Sequence, residues 1–366
     1  MVQPQIGIHT TLGRRLIAYP EIGLALFMVL IFTISAVRSR TVEEPGRPGV
    51  QVNLFLKPNN LHQIARDSSY IAIMAVGATL VMVCGGVDLS IGSIFCLSAI
   101  VAAHFISATT YTGRLPVSAE QELEWIAKGE MPSAAVRIVE GVAAGLATGT
   151  LCGLINGLLI TSLKSPPFLI TLGTMQIFRF LAYRITLGKS VGSLPDCFVN
   201  GFGKAVLPGG FNVHVPLMIS VVGFGWLFLS HSVPGRMAMA LGGNEEAART
   251  AGLPVQKVKV AIYAIAGSLG GLAGVLSLAY SGAIQSGEGT GVELTVIAAA
   301  VLGGASLTGG RGTAIGALLG ALFLLLINNS LIILKIDQDY QLLVIGLVIV
   351  TAAASNRLRE RMLGAS

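Results

Sequence analysis

Charge is what this sequence has least of. Only 11% of its 366 residues are Asp, Glu, Lys or Arg, against 53% hydrophobic, and the mean hydropathy is +0.76. That profile excludes a water-soluble domain. Cysteine is scarce as well: Cys84, Cys96, Cys152 and Cys197 show neither CxxC spacing nor a companion histidine cluster, so they read as small packing residues rather than metal ligands. The five histidines are scattered, and His104 and His214, at expected helix ends, read as interfacial residues. A phosphate-cradling Walker A loop is missing too. Gly188-Lys189-Ser190 has its ending, but Tyr183 stands where the first glycine belongs, and Gly203-Lys204 has Phe198 there. Any ATP used would be hydrolysed by another chain. Alternating β-type hydrophobicity is also lacking, which excludes a membrane barrel.

What the sequence has is glycine, 46 residues of it, and long apolar runs. The first runs from Ile22 to Val37. No small-residue cleavage site follows it and further runs do, so it reads as a span and not a removed signal. Apolar runs predict about ten helices, near 17–37, 68–86, 90–108, 135–162, 167–187, 214–232, 257–280, 292–308, 312–334 and 338–355. Each is long enough for a hydrocarbon core of roughly 30 Å at about 1.5 Å per residue. The expectation is therefore an all-α, polytopic membrane protein with a single transmembrane domain over 1–366. Polar insertions stand at 38–66, 109–134 and 188–213. "EEPGRPG" and "NLHQIARD" in the first suggest a turn and a short amphipathic lead-in, and Ser118 and Gln121 in the second suggest a helix start.

Lys and Arg counts tie between the two sides, but the outer charges lie mostly in the long insertions, where the positive-inside rule is weakest. The basic tail "NRLRERM" favours an inner carboxyl terminus. With an even number of spans, 1–16, 235–256 and 356–366 face the cytoplasm and the three insertions face outward. The inner loop 235–256 is conspicuously polar. Within it Glu245, Glu246, Ala247, Ala248, Arg249 and Gly252 form E-E-A-A-R-x-x-G: alanines give a short helix a smooth face for a groove on a partner, and a free helix of this length is marginal in water.

The core E-A-A-x-x-x-G resembles the coupling loop in permease subunits of ATP-binding cassette importers. The stretches "NLHQIARDSSYIAIMAVGATLVMVCGGVDLSIGS", "PPFLITLGTMQIFR" and "GVELTVIAAAVLGGASLTGGRGT" resemble the ribose, xylose and galactose type of sugar permease, a resemblance running from about residue 53 to 355. Departures are Phe180 after "FR", Thr295 where an acid is common, and the 109–134 insertion. The resemblance implies a bacterial inner-membrane permease that binds no cofactor itself. Its implied partners are an ATPase subunit holding ATP and magnesium, a periplasmic sugar-binding protein and a second permease chain, with no nucleic acid.

Read without the family, Asp88 lies in "GGVDLSIGS" between two apolar runs, where an isolated acid needs a partner or water. Gly85, Gly86 and Gly92 can break the helix and let Asp88 or Ser90 cap the next one. Both a tight corner and a substrate contact fit. Gly303-Gly304-x-x-Leu307-Thr308-x-Gly310 aligns with Gly85-Gly86-x-x-Leu89-Ser90-x-Gly92, which suggests two similar halves. Gly145, Gly149, Gly153 and Gly157 bare one helical face for close packing. Beside it stands Asn156, either an interhelical hydrogen bond or a solute contact.

A neutral sugar is held by amides and hydroxyls at its edges and an aromatic ring on its face. Thr171, Thr174, Gln176 and Phe178 supply that set on one helix, Asn328 and Asn329 add amides on another, and Gln63 stands near the outer mouth. Arg179 and Arg184 are expected to snorkel to the interface. The expected solute is a monosaccharide or polyol. Nucleosides, an autoinducer sugar and branched-chain amino acids remain as alternatives within the importer class. An ion-coupled secondary transporter would need Asp88 or Glu293 as its ion site, and an enzyme would need a catalytic cluster that the sequence does not offer.

Overall fold

The computed structural model describes residues 20–44, 47–108, 124–129 and 132–337, with 339, 340, 343, 346, 347 and 350 beyond them. Its helices are α1 (Pro20–Arg38), α2 (Pro58–Val83), α3 (Ile91–Ile106), α4 (Ala134–Leu163), α5 (Pro167–Thr186), α6 (His214–His231), α7 (Val233–Gly243), α8 (Glu245–Thr250), α9 (Val255–Ser281), α10 (Val292–Leu302) and α11 (Ala314–Ile333). By length and composition, α2, α4, α6, α9 and α11 can cross a membrane. The chain is thus a helical, multi-pass membrane protein.

Helices α2 and α9 form the centre. Every residue from Ala72 to Val83 is buried, as expected of a helix that is apolar all round. Helix α9 packs on α2, α3 and α4, while α11 packs on α1, α2 and α10. The closest seam joins α4 to α9, glycine against glycine. A Cβ on Gly149 would overlap the carbonyl oxygen of Gly267, one on Gly153 that of Tyr263, and one on Gly267 that of Gly149. The four-residue glycine spacing thus lets the two backbones touch, and dispersion acts along the whole contact without side chains to order.

Several boundaries differ from expectation. Helix α2 starts at Pro58, ten residues before the expected 68, because the amphipathic lead-in is its own first turns, with proline at a position that needs no N–H. Helix α10 stops at Leu302 instead of 308, ended by Gly303-Gly304. The all-α expectation needs one correction: β1 (Thr41–Glu44) and β2 (Arg47–Asn53) pair antiparallel, Thr41 opposite Asn53 and Val42 opposite Val52. Alternating "TVE" and "VQV" on either side of "PGRPG" gives that pairing its two-residue period. The expected helix start at Ser118 and Gln121, both termini and most of 338–355 lie outside the described residues.

Candidate functional site

The two glycine corners end their helices by the same hydrogen bonds. After α2, the N–H groups of Cys84, Gly85 and Gly86 donate to the carbonyls of Leu80, Met82 and Val81. After α10, those of Gly303, Gly304 and Ala305 donate to Ala299, Val301 and Ala300. Gly85 (φ +80°) and Gly304 (φ +90°) hold the left-handed position that closes each helix. At the cap, then, Gly303 corresponds to Cys84 and Gly304 to Gly85, one residue off the register read from sequence. Past the cap the expected register returns: Asp88 Oδ1 accepts from the N–H of Ser90, and Ser306 Oγ from that of Thr308. The second corner has one residue fewer in between. The corners also touch, since the N–H of Gly310 donates to the Val83 carbonyl at 2.9 Å.

Around the first corner a buried polar network has formed. Ser90 donates its Oγ hydrogen to Asp88 Oδ1 at 2.6 Å, and Asn156 Nδ2 donates to Ser90 Oγ at 2.8 Å. Asp88 is 3% exposed, and Ser90 and Asn156 are fully buried. Thr171 ties α5 to the same loop: its Oγ1 donates to the Val87 carbonyl and accepts from the N–H of Leu89, both at 3.2 Å. Asp88 Oδ2 and Asn156 Oδ1 have no partner among the described residues. Capping of α3 by Ser90 or Asp88, expected from sequence, is not what holds the corner. The Ser90 side chain makes no cap bond, and Asp88 takes the Ser90 N–H instead. Gly92 lies inside α3 and serves packing, since a Cβ there would meet the Gly289 carbonyl and Glu293. Glu293 itself accepts from the N–H of Gly291.

The other solute-path candidates do not converge. On α5 the side chains of Thr171, Thr174 and Phe178 are buried on one face, while Gln176 is exposed on another. Asn329 is paired with Asn60 by two reciprocal amide bonds, 2.8 and 3.1 Å. Asn328 is half-buried beside it and Gln63 is exposed on α2. Arg179, expected to snorkel, instead donates to the Glu288 carbonyl at 2.6 Å. His214, expected at the interface, is fully buried with Nε2 3.1 Å from the Leu276 carbonyl. It lies edge-on to Tyr70 and Tyr280. Arg66 pairs with Asp67 at 2.6 Å, stacks over the Tyr280 ring and donates to its hydroxyl. This Arg66–Tyr70–His214–Tyr280 group was missed. Its only signal was "ARDSSY", which puts Arg66 and Tyr70 four residues apart on one face of α2.

The polar loop folds as two short helices. Ser232 Oγ accepts from the Gly235 N–H to cap α7, and Asn244 Oδ1 accepts from the Ala247 N–H to cap α8. Gly252 (φ +82°) ends α8, its N–H on the Arg249 carbonyl. Ala248 is buried, whereas Glu246, Ala247 and Arg249 are exposed. Glu245 accepts from Arg249 at 3.0 Å and from Lys259 of α9 at 2.7 Å. The Lys259 hydrogen bond, with that of Arg249, holds the Glu245 carboxyl below its usual range. So α8 is clamped to α9 on one side and bare on the other.

The chain is thus a helical membrane protein with an interhelical glycine seam, paired glycine corners and a polar helix clamped to α9. Residues 60–353 match the family described as branched-chain amino acid transport system / permease component. The chain is 35% identical over 308 residues to the ribose import permease of Escherichia coli (strain K12), covering 84% of this chain and 88% of that one. It is 37% identical over 309 residues to the ribose import permease of Bacillus subtilis (strain 168), 84% and 87% covered. It is also 34% identical over 304 residues to the D-allose transport system permease of Escherichia coli (strain K12), 83% and 85% covered. No solved structure matches. The chain belongs to this permease family, and the resemblance to its sugar permeases holds over most of the length.

Proposed function

We propose that this chain is the membrane-spanning subunit of an ATP-driven importer for a monosaccharide or polyol, working with a separate ATPase, a periplasmic binding protein and a second permease chain in a bacterial inner membrane. The observation that carries this reading is similarity over more than four-fifths of the chain to permeases named for ribose and allose. The helix α8 supports the ATPase contact, because its Glu246-Ala247 face is exposed while its root is fixed to α9. In this reading about ten spans cross the membrane, the polar loop 235–256 faces the cytoplasm, and the coupled ATPase supplies the direction of transport through its different affinities for two permease states.

Uptake of labelled monosaccharides and polyols by cells expressing the whole importer tests it. Glu246→Lys is expected to abolish uptake while the protein still accumulates in the membrane, since Glu246 makes no packing contact in a span. Competition of uptake by branched-chain amino acids, with none by any sugar or polyol, would refute the solute class.

A further inference from the structure

Where α4 ends and both α5 and α9 begin, the protein holds a cleft of about 280 Å³, several times the roughly 30 Å³ that one water occupies in the liquid. Three cations line it: Lys164, Arg249 and Lys259, against a single carboxylate, Glu245. Thr161 and Ser165 add hydroxyl groups to the wall. Glu245 is already shared between Arg249 and Lys259, and no ion pair engages Lys164 among the described residues. The cleft is therefore cationic with its own acid neutralised. It also lies at the ends of α4 and α9, two helices long and apolar enough to cross a membrane, and the ends of such helices are where headgroups meet a protein. Next to its lining residues in sequence, Leu163 at the end of α4 and Phe168 and Leu169 at the start of α5 are more than half exposed, an apolar strip at the turn between the two helices.

We propose that this cleft binds the phosphate of an anionic phospholipid headgroup, with the acyl chains lying along that strip. Cations give the phosphate its counter-charge, the Thr161 and Ser165 hydroxyls turn from the Gly157 and Leu163 carbonyls to donate to its free oxygens, and the strip explains why the ligand is a lipid and not a dissolved anion. Because Arg249 and Glu245 belong to α8 and Lys259 to α9, a bound headgroup would brace the junction between the two helices. The site does not depend on which solute is carried.

The test uses the purified full chain, stripped of lipid in detergent, titrated with phosphatidylglycerol, phosphatidylcholine or inorganic phosphate and read by native mass spectrometry and thermal unfolding. Phosphatidylglycerol is expected to bind saturably and raise the melting temperature, with phosphatidylcholine at least tenfold weaker. Lys164→Asn suits the left-handed backbone at that position (φ +50°). It is expected to weaken phosphatidylglycerol about fivefold, as is Arg249→Gln, while Lys257→Gln, outside the cleft, leaves binding unchanged. Both cleft positions are exposed, and helix content by circular dichroism confirms that each variant is folded. Equal binding of the two lipids, or wild-type affinity in both cleft variants, overturns the proposal. Displacement of the lipid by inorganic phosphate at equal concentration overturns its lipid source.

Discussion

The corner after α2 and the corner after α10 close their helices with the same three backbone bonds, yet one is buried and the other faces outward. In the first, Asp88 and Ser90 are sealed beneath Asn156 and Thr171. In the second, Ser306 and Thr308 form a similar turn near the surface, with Leu307 and Thr308 exposed. Backbone chemistry alone therefore sets the helix end, while the side chains that follow decide whether the corner becomes a packed node or a free loop. Gly242 stands where the two meet: a Cβ there would overlap the Val83 carbonyl and crowd the Gly310 N–H.

The strongest test of that junction is Gly242→Ala. Neither neighbour is a flexible side-chain end, so the corners must part, and a loss of about 3 kcal/mol or more is expected, read as a collapse in folded yield and melting temperature in detergent. A wild-type melting temperature would mean that the corners are not held together. Next comes the contrast itself. Asp88→Ala leaves the buried N–H of Ser90 without its acceptor and is expected to cost about 2 kcal/mol, whereas Ser306→Ala stays within about 0.5 kcal/mol. Equal losses would erase the distinction between node and loop. The mildest test of a loss in both corners at once concerns what they share: Gly85→Ala and Gly304→Ala each place a Cβ in the left-handed region, and both are expected to lose about 1 kcal/mol. A cost at only one would show that the caps are alike in geometry but not in strain.

Helix places were legible because apolar runs of spanning length admit little else, and the α4 glycine spacing announced its seam before the partner was known. The face of a helix was harder to read. Helix α5 spreads its polar residues around its whole circumference, so nothing in its own sequence tells Thr171 and Phe178 to turn inward and Gln176 outward. That choice is made by the loop 84–90, which Thr171 bonds, and by α3 packed against α5. Asn329 looked like a solute ligand because its partner Asn60 lies 269 residues away. His214 and Arg179 were assigned to the interface by position, but carbonyls of Leu276 and Glu288 were within reach. The corner register slipped by one because the glycine that carries positive φ is second of its pair in one corner and first in the other.

The glycine seam has a mechanical consequence. With carbonyls of α4 and α9 lodged where side chains would otherwise stand, the two helices cannot slide along each other without their backbones climbing over one another. They make a stiff rod; α9 alone has 27 residues, about 40 Å at the rise of an α-helix. One end of that rod is joined to α8 through Gly252, Leu253 and Pro254 and bolted to it by Lys259 and Glu245. A displacement of α8 is thus delivered at the far end as a tilt, with little of the stroke lost to shear along the way.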